Sequence, residues 1–363
     1  MSGESYFTAQ LITCLGNKRT LTPYLLSAAD RVRAALGRDL LAVGDLFSGS
    51  GAAARVLKTR ASRLVVNDLE RYAEVLSRCY LSNAADRDEG ALRDSYARLR
   101  NLMEGPLESG FLTELYAPED DRNIRPGERV FYTNRNARYL DTCRQAIAAL
   151  PECQQPFFLA PLLAEASVKT NTSGVFKGFY KDVRGIGKFG GAGENALSRV
   201  MADIALPFPV FGVHDCPVEI YREDAGALAK SLPPLDLLYL DPPYNQHPYG
   251  SNYFMLNLLC DYRRPERLSR VSGIPEGWNR SDYNRRKAAL PALLRLCGDA
   301  QARYILLSFN SEGFVEKDVL LASLSQLGET EVTEIRYNAF RGSRNLHQRP
   351  IHVKEYLFLI RKG

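Results

Sequence analysis

The sequence LLAVGDLFSGSGAAARVL, at residues 40–57, decides the fold. Its apolar first part, up to Phe47, is typical of a buried strand, and the small residues after it form a turn before a helix that begins at Ala52. A second apolar run at 63–68 predicts the next strand, followed by a helix that ends near Leu81. This alternation of strands and helices predicts a parallel sheet with right-handed crossovers.

The alternation stops between Ala84 and Pro217, in a stretch that begins charged and helical and ends rich in glycine, aromatic and basic residues. Further strands are predicted at 218–221, 235–240, 304–309, 331–337 and 353–360. The sequence therefore predicts an α/β fold, a doubly wound Rossmann-like sheet with an inserted domain. We expect the first part of the sheet domain in 1–83, the insert in 84–215 and the second part of the sheet domain in 216–363.

The composition is that of an ordinary globular protein. The 363 residues are 45% hydrophobic and 25% charged, and the net charge of +5 permits a nucleic-acid partner without arguing for one. No apolar run is long enough to span a bilayer, and the N-terminus lacks the features of a secretory signal. The seven cysteines and four histidines form no zinc-binding pattern, so we expect free thiols, no metal and a cytoplasmic protein.

A rigid corner is predicted where the strand at 235–240 runs into Asp241-Pro242-Pro243-Tyr244. Each proline fixes φ and removes a donor, and the residue before a proline is pushed toward extended geometry. The corner thus presents a carboxylate, the carbonyl of Pro242 and an aromatic ring. The exocyclic amine of a planar base can donate to Asp241 and to Pro242 while Tyr244 stacks on the base. Taken alone, the same four residues could form a simple turn.

The loop at Asp45–Gly51 lies where the first strand meets its helix, a place at which doubly wound sheets bind ligands. Its glycines let a ligand approach the backbone, and the carboxylate of Asp45 can pair with a positive group such as an aminoacyl ammonium. Asp68 ends the second strand, where a carboxylate can hydrogen-bond a ribose diol. A structural turn and a surface aspartate would give the same pattern. The spacing is not that of Gly-x-Gly-x-x-Gly, which argues against a nucleotide dehydrogenase.

Two further positions could complete a ligand site. Asp224 follows the predicted strand at 218–221 and could accept a hydrogen bond from the amino group of a purine, or it could be a helix N-cap. Lys18 belongs to a basic lead-in at 15–19 that could reach a carboxylate or phosphate, or could be a solvated turn.

The order of these motifs resembles that of the Dam-like DNA N6-adenine methyltransferases. The matching features are the lead-in Gly16-Asn17-Lys18, the loop Asp45–Gly51, the acid Asp68, a long insert, an acid near Asp224, and the corner Asp241–Tyr244. A further family-like stretch lies at 307–313. The likeness spans most of the chain and is weakest from Ala84 to Gln154.

The resemblance implies a class I methyltransferase fold, S-adenosylmethionine as cofactor, and transfer of its methyl group to the N6 amine of an adenine flipped out of double-stranded DNA. It also implies a bacterial or phage enzyme associated with the nucleoid, with a restriction endonuclease as counterpart. The implied cofactor contacts are Lys18, Asp45, Phe47, Ser48, Gly49, Ser50, Gly51, Asp68 and Asp224. The implied base-gripping and catalytic residues are Asp241, Pro242, Pro243 and Tyr244.

We expect DNA contacts from two basic segments. The first is glycine-aromatic-basic in character and contains Lys177, Lys181, Arg184 and Lys188. The second is a turn between two predicted strands and contains Arg341 and Arg344. Arginines there could reach phosphates or a guanine edge, although charge runs of this kind are often solvated faces. The segment at 184–193 differs from the Arg-Gly-Glu-Phe-Asn-like stretch of the family, so the sequence predicts no target site.

Three other functions fit parts of the sequence. Cytosine-C5 methyltransferases share a similar glycine loop but attack through a Pro-Cys step, and none of the 19 prolines here precedes a cysteine. RNA base methyltransferases, which act on adenine or guanine amines, use related corners but keep both motifs in one compact domain. Gly51 and Asp241 are 190 positions apart here, which favours an insert that recognises DNA. A DNA-binding module without activity would explain the basic segments but not the glycine loop and the Asp-Pro-Pro-Tyr corner.

Overall fold

A seven-stranded sheet forms the centre of the protein. The computed structural model describes residues 3–13, 18–338 and 352–363. In these ranges the strands are β1 Leu41–Asp45, β2 Ala61–Asn67, β3 Val218–Tyr221, β4 Leu235–Leu240, β5 Ala302–Asn310, β6 Gly328–Asn338 and β7 His352–Lys362. Their spatial order is β3-β2-β1-β4-β5-β7-β6, in which β7 runs antiparallel to both of its neighbours and the other pairs are parallel. This sheet confirms the predicted Rossmann-like fold class.

Strand β1 lies at the point where the order of strands reverses. It pairs with β2 on one side and with β4 on the other, so that Asp45 lies opposite Val66 and Tyr239. From here the chain moves outward through β2 to β3 on one side and from β4 to β5 on the other. Ligands of doubly wound sheets bind outside the carboxyl ends of the strands at such a reversal. The glycine loop follows β1 and the Asp-Pro-Pro-Tyr corner follows β4, so both motifs open onto it.

Helices cover the sheet, and five of them lie in the insert. In the described ranges the α-helices are α1 Gly3–Thr8, α2 Thr22–Leu36, α3 Ala52–Lys58, α4 Arg71–Tyr80, α5 Glu89–Met103, α6 Phe111–Tyr116, α7 Asn134–Ala148, α8 Gln155–Val168, α9 Leu197–Met201, α10 Ala225–Leu228, α11 Tyr249–Asn252, α12 Phe254–Asp261, α13 Arg286–Asp299 and α14 Lys317–Leu324. Short 3-10 turns lie at Lys18–Leu21, Ala84–Asp86 and Asp282–Asn284. Of the helices described, none is long and apolar enough to cross a membrane.

Both faces of the sheet are buried. On one face, α2 and α3 pack with Leu237 and Tyr239 of β4 in an apolar cluster. On the other face, α13 and α14 pack with Leu238 and Leu240. Because successive side chains of a strand point to opposite faces, a strand covered on both sides needs a nearly continuous apolar sequence. This requirement explains why the run at 235–240 could be recognised as a strand.

Residues 84–217 all lie in the described part of the chain, and none of them joins the sheet. Their helices α5, α7 and α8 pack with α4 and α12 around one apolar cluster, which includes Leu76, Phe158, Leu162 and Met255. The insert therefore shares a core with two helices of the sheet domain. The boundaries at 84 and 215 stay a prediction.

Leu162→Ala should lower the free energy of unfolding by about 2–5 kcal/mol, because it leaves a cavity in the cluster that joins the insert to α4 and α12. Urea denaturation followed by circular dichroism measures the change. Leu102→Ala is the matched control, since Leu102 in α5 is 49% exposed and its truncation should cost less than about 0.5 kcal/mol. Equal losses in the two variants would contradict the shared core.

Candidate active site at the strand reversal

Two adjoining clefts open at the reversal between β1 and β4, and Phe47 and Tyr249 line both of them. The loop cleft is lined by Lys18, Ser48, Gly49, Ser50 and Asp241 among others. The acid cleft is lined by Asp68, Glu70, Asp224, Pro243 and Tyr283 among others. Within the described ranges, no group of His, Cys, Asp and Glu side chains is placed to hold a metal ion.

The loop after β1 takes a shape that its glycines allow. Gly49 and Gly51 have φ values of 50° and 76°, in the left-handed region that favours glycine. The N–H of Ser48 donates to the carbonyl of Asn67 at 3.0 Å, and Gly51 leads directly into α3. The loop is thereby held against the end of β2, with its small residues facing the loop cleft.

Asp45, the last residue of β1, is fully buried. Its Oδ1 accepts the Phe47 N–H at 3.3 Å, while its Oδ2 has no hydrogen-bond partner among the described residues. Burial raises the pKa of Asp45 well above its ordinary value, and the carboxylates of Asp241 and Asp68 raise it further. Buried polar atoms are nearly always hydrogen-bonded, so this oxygen marks a place where a ligand can supply a donor.

Asp68, which follows β2, anchors the glycine loop. Its Oδ2 accepts the Gly49 N–H at 2.8 Å and its Oδ1 accepts the Glu70 N–H at 2.9 Å. Burial raises the pKa of Asp68 to about 6. Both carboxylate oxygens therefore hold backbone groups, and the residue fixes the loop after β1 to the end of β2.

Sequence reasoning missed Glu70, which stands two residues after Asp68. Glu70 is 3% exposed and lines the acid cleft, and its Oε2 accepts a hydrogen bond from Asn257 Nδ2 of α12 at 2.5 Å. Burial raises the pKa of Glu70 to about 7. The signal in the sequence was a second acid close behind the strand, in Asn67-Asp68-Leu69-Glu70.

Aromatic side chains and Asp224 line the acid cleft. The rings of Phe47 and Tyr283 meet edge to face with their centres 5.1 Å apart. Asp224 is exposed and caps α10, since its carboxylate accepts the Ala227 N–H at 3.0 Å. The N-cap that the sequence allowed for Asp224 is therefore present, and the same residue faces the cleft.

At the corner after β4, the ammonium of Lys18 lies 3.0 Å from Asp241 Oδ1. Lys18 comes from the 3-10 turn before α2 and is buried, so it is not part of a solvated turn. Burial raises the pKa of Asp241, the charge of Lys18 lowers it and that of Glu355 raises it, which leaves a value of about 6. Burial lowers the pKa of Lys18, but Asp241 and Glu355 outweigh that effect and hold it well above its ordinary value.

The corner presents its other two groups from the same rigid segment. The Pro242 carbonyl accepts no hydrogen bond from the described residues. The ring centre of Tyr244 lies 6.0 Å from that of Phe309 and 5.9 Å from the Lys18 ammonium. The Tyr244 carbonyl accepts the Phe314 N–H at 2.9 Å, which fixes the loop after β5 against the corner.

Three polar residues behind the corner were not predicted as site residues. Glu355 of β7 contacts the Lys18 ammonium and accepts hydrogen bonds from Ser308 Oγ at 2.6 Å and Asn310 Nδ2 at 3.2 Å. Ser308 and Asn310 lie in the family-like stretch at 307–313. No local pattern marks Glu355, because it reaches the site only through the antiparallel pairing of β7 with β5.

Four of the predicted DNA-contact residues lie in or near a small hairpin of the insert. Lys181 and Gly187 form its antiparallel bridge. Arg184 is 73% exposed near the tip and pairs with Asp182 at 2.9 Å. Lys188 pairs with a glutamate of the insert at 2.9 Å. Arg184 and Lys188 already have acidic neighbours, so they are less available to a partner than the sequence alone indicates.

Lys177 connects this segment to the corner. Its Nζ lies 3.3 Å from Nδ1 of His247, three residues after Tyr244, and burial lowers the pKa of Lys177. Arg341 and Arg344 lie outside the described residues. The structure thus places the first predicted segment beside the corner, and the second stays a prediction.

A long loop between α12 and α13, residues 262–285, carries six arginines and was not predicted to belong to the site. We call it the strap. Asn279 Nδ2 donates to the Leu69 carbonyl at 2.9 Å, and Asn284 Nδ2 donates to the Asn245 carbonyl at 2.8 Å. The strap thereby bridges the segments after β2 and β4 beside the acid cleft.

The strap also contacts the insert, because Ser272 Oγ donates to the carbonyl of Lys177. Three of its arginines pair with acids. Arg263 and Arg270 are exposed and have no acidic partner in the part of the chain that the structure describes. The sequence signal was the density of arginine in a stretch without helix or strand periodicity.

A sheet of this order, with a glycine loop after β1 and a proline corner after β4, defines a Rossmann-like methyltransferase. The model of the D12 class of N6 adenine-specific DNA methyltransferases matches residues 15–189 and 214–317, which is more than half of the chain. The chain belongs to this family. The match confirms the predicted activity, that of an adenine-specific DNA methyltransferase, and favours it over the RNA and cytosine alternatives.

Relatives of known class are similar over most of the chain. The chain is 28% identical to the type II methyltransferase M.NlaIII of Neisseria lactamica over 326 residues. This match covers 88% of this chain and 90% of that protein. The chain is also 28% identical over 322 residues to M.CviAII of Paramecium bursaria Chlorella virus 1, covering 87% and 89%. M.FokI of Planomicrobium okeanokoites is 26% identical over 332 residues, which are 88% of this chain and 48% of that protein.

Glu70→Gln should gain stability over the wild type as pH rises. The folded-state pKa of Glu70 is about 7, above that of an unfolded chain, so its ionisation costs stability as pH rises through 7. This loss of stability is absent at pH values below the pKa that Glu70 has in the unfolded chain. The difference in unfolding free energy between variant and wild type should grow by on the order of 2 kcal/mol from pH 5 to pH 8.

Urea denaturation of the cofactor-free protein at both pH values measures this difference. Glu223→Gln is the control, because Glu223 lines the same cleft but is exposed. A Glu70→Gln difference that stays constant with pH would contradict the effect of burial.

Proposed function

We propose that this protein transfers the methyl group of S-adenosylmethionine to the N6 amine of an adenine flipped out of duplex DNA. One observation carries the proposal: the loop cleft is lined both by the glycine loop and by Asp241. A methyl donor held by the loop and an amine held by the corner can therefore meet in one place. In the reaction the bond from N6 to the methyl carbon forms as the bond from that carbon to sulfur breaks, S-adenosylhomocysteine leaves, and the nitrogen releases one proton to solvent.

The residues around the two clefts suit S-adenosylmethionine. The buried Oδ2 of Asp45, without a hydrogen-bond partner among the described residues, can pair with the ammonium of the methionine part. Glu70 together with Asp68 offers carboxylate oxygens to the ribose diol, and Asp224 can accept from the purine amino group. The remaining proposed contacts are Lys18, Phe47, Ser48, Gly49, Ser50 and Gly51. The cofactor supplies a methyl group on a sulfonium centre, and the chain binds and orients it.

The corner activates the amine by positioning. The N6 lone pair of adenine is delocalised into the ring, which makes the amine a poor nucleophile. Hydrogen bonds from its two protons to the Asp241 carboxylate and the Pro242 carbonyl favour a tetrahedral nitrogen whose lone pair points at the methyl group. With a pKa of about 6, Asp241 is ionised at neutral pH and accepts such a bond. Tyr244 stacks on the base and returns roughly 1–3 kcal/mol of the stacking energy that flipping costs.

Asp241→Ala should lower methyl transfer by at least about 10²–10³-fold, because the amine loses one of its two acceptors. Its affinity for the cofactor should stay within a few fold of the wild type. Transfer of labelled methyl groups to unmethylated genomic DNA, with N6-methyladenine identified as product and structured RNA as competitor, measures the first quantity. Calorimetric titration measures the second.

Asp318→Ala is the control for this experiment, since it removes an exposed acid from α14 and should keep full activity. An active Asp241→Ala enzyme would refute the mechanism. Label in RNA rather than in DNA would refute the substrate.

We further propose that DNA lies along the hairpin of the insert and the strap. The strap contacts the Lys177 carbonyl through Ser272 and, through Asn284, the Asn245 carbonyl next to the corner. We propose that the exposed Arg270 of the strap and the half-buried Lys177 flank the place where the base would enter. Arginine and lysine side chains at such positions bind phosphates. The other proposed contacts are Lys181, Arg184, Lys188, Arg341 and Arg344.

Lys177→Gln/Arg270→Gln should weaken DNA binding and flatten its salt dependence. The slope of log K against log salt should fall in magnitude by about 0.9 for each phosphate that the variant no longer neutralises. Anisotropy titrations at several salt concentrations measure it. Arg31→Gln/Lys230→Gln removes the same charge from other exposed positions and serves as the control. Equal changes of slope in both double variants would show an effect of net charge alone and contradict the surface.

A restriction endonuclease counterpart and a nucleoid-associated, cytoplasmic setting complete the proposal. Its support is the similarity to type II methyltransferases over most of the chain. Mapping methylated adenines in DNA treated with the protein would define the target site, and a cognate endonuclease would have to be blocked by methylation at that site.

A further inference from the structure

Three charged side chains form a buried cluster behind the corner. The ammonium of Lys18 contacts the carboxylate of Glu355 and lies 3.0 Å from Asp241 Oδ1. The exposed fractions of the Lys18, Asp241 and Glu355 side chains are 8%, 16% and 1%. Two carboxylates therefore share one ammonium, and the cluster keeps a net negative charge next to the loop cleft.

The mechanism proposed above uses Asp241 but gives Glu355 no task. Glu355 is held by three residues from two elements: Ser308 and Asn310 of β5 donate to it, and Lys18 comes from the turn before α2. Burying a carboxylate costs several kcal/mol unless it is paired and hydrogen-bonded. An apolar side chain at this position of β7 would avoid that cost. The stability of the sheet therefore does not explain the acid, and a role in the site does.

We propose that Glu355 is a positioning residue for methyl transfer, which holds the Lys18 ammonium beside Asp241 and sets the charge that the corner presents to the adenine amine. The inference rests on the proposed role of Asp241 as acceptor. Without Glu355, Lys18 would be free to move fully onto Asp241 and compete with the amine for its oxygens. With Glu355, the ammonium is divided between two acids, and Asp241 keeps accepting capacity for the substrate.

Other titratable groups face this cluster and must be counted. Asp45 from β1, Tyr239 from β4, and Tyr244 and Tyr249 from the segment after β4 all interact with Asp241 or Lys18. Burial raises the pKa values of Tyr239 and Tyr249 well above the ordinary value, so both stay neutral in any practical assay. Asp45 is present in every variant compared below, and its contribution cancels in the differences between them.

The sign of the effect on pH dependence follows from the charges. Burial raises the pKa of Asp241, Lys18 lowers it and Glu355 raises it. Activity that requires ionised Asp241 is lost as pH falls through that pKa. Glu355→Gln removes a negative neighbour, so the acid limb of the pH–rate profile should move to lower pH. Lys18→Met removes the positive neighbour, so the limb should move to higher pH.

The experiment measures single-turnover methyl transfer from pH 5 to pH 9, with saturating S-adenosylmethionine and DNA, for the full-length wild type and both variants. Glu355→Gln keeps the shape of the side chain, and we expect an about tenfold lower rate together with an acid limb shifted down by about half to one pH unit. Lys18→Met should shift the limb in the opposite direction. Asp318→Ala, which removes an exposed acid from α14, is the control and should leave the limb in place.

A merely structural role for Glu355 would lower the rate or the melting temperature without moving the limb, and that result would overturn the proposal. So would a shift of Glu355→Gln to higher pH. If Glu355→Gln does not fold, Lys18→Met is compared with Lys18→Met/Glu355→Gln, which leaves no unpaired charge from this pair. The acid limb of the double variant should then lie at lower pH than that of Lys18→Met. Acid limbs at the same pH in the two variants would overturn the proposal.

Failure of this inference differs from failure of the proposed function. Asp241→Ala with wild-type activity would remove the acceptor role itself. An inactive Asp241→Ala enzyme combined with an unmoved limb in Glu355→Gln would reject only the part assigned to Glu355.

Discussion

The parallel pairing of β1 with β4 is the constraint on which the whole site depends. With Asp45 opposite Tyr239, the two strands leave the sheet side by side and in the same direction. Strand β1 continues from Asp45 directly into the glycine loop. Strand β4 reaches the proline corner at Asp241, two residues after Tyr239. Motifs that are far apart in the chain thereby line a single cleft. The antiparallel strand β7 adds the carboxylate of Glu355 behind that cleft.

This arrangement concentrates carboxyl groups where water is scarce. Asp45, Glu70 and Glu355 are at most 3% exposed, and burial raises the pKa values of Asp45 and Glu70. Among the described residues, Lys18 is the cation that contacts the acids of the corner. The protein alone is therefore less stable than an apolar version of the same edge would be. A ligand with an ammonium, hydroxyl groups and amines can donate hydrogen bonds to these carboxyl groups. Its binding then offsets part of the free energy that their burial costs.

The sequence predicts what is local and misses what depends on long-range pairing. Strand β4 and the corner are recognisable because an apolar run meets two prolines, and the loop after β1 is recognisable from its glycines. Glu355 carries no such mark, since its place beside Lys18 follows from the register of β7 against β5. Arginine density in the strap was visible, but its course past the acid cleft was not. For Asp224, the sequence left two roles open; the structure shows the N-cap and places the residue in the lining of the acid cleft, and the contact with a purine stays a prediction.

The insert and the proposed methyl-transfer site share one core and a set of hydrogen bonds. Helix α12 packs in the core of the insert, yet its Asn257 holds Glu70 in the acid cleft. The strap that follows α12 touches Lys177 of the insert and then the segments after β2 and β4. Catalysis that relies on placing an amine against a methyl group tolerates little misplacement. The proposed recognition region shares its core and hydrogen bonds with the proposed cofactor site and so meets that demand, because a DNA base aligned by one would be aligned with the other.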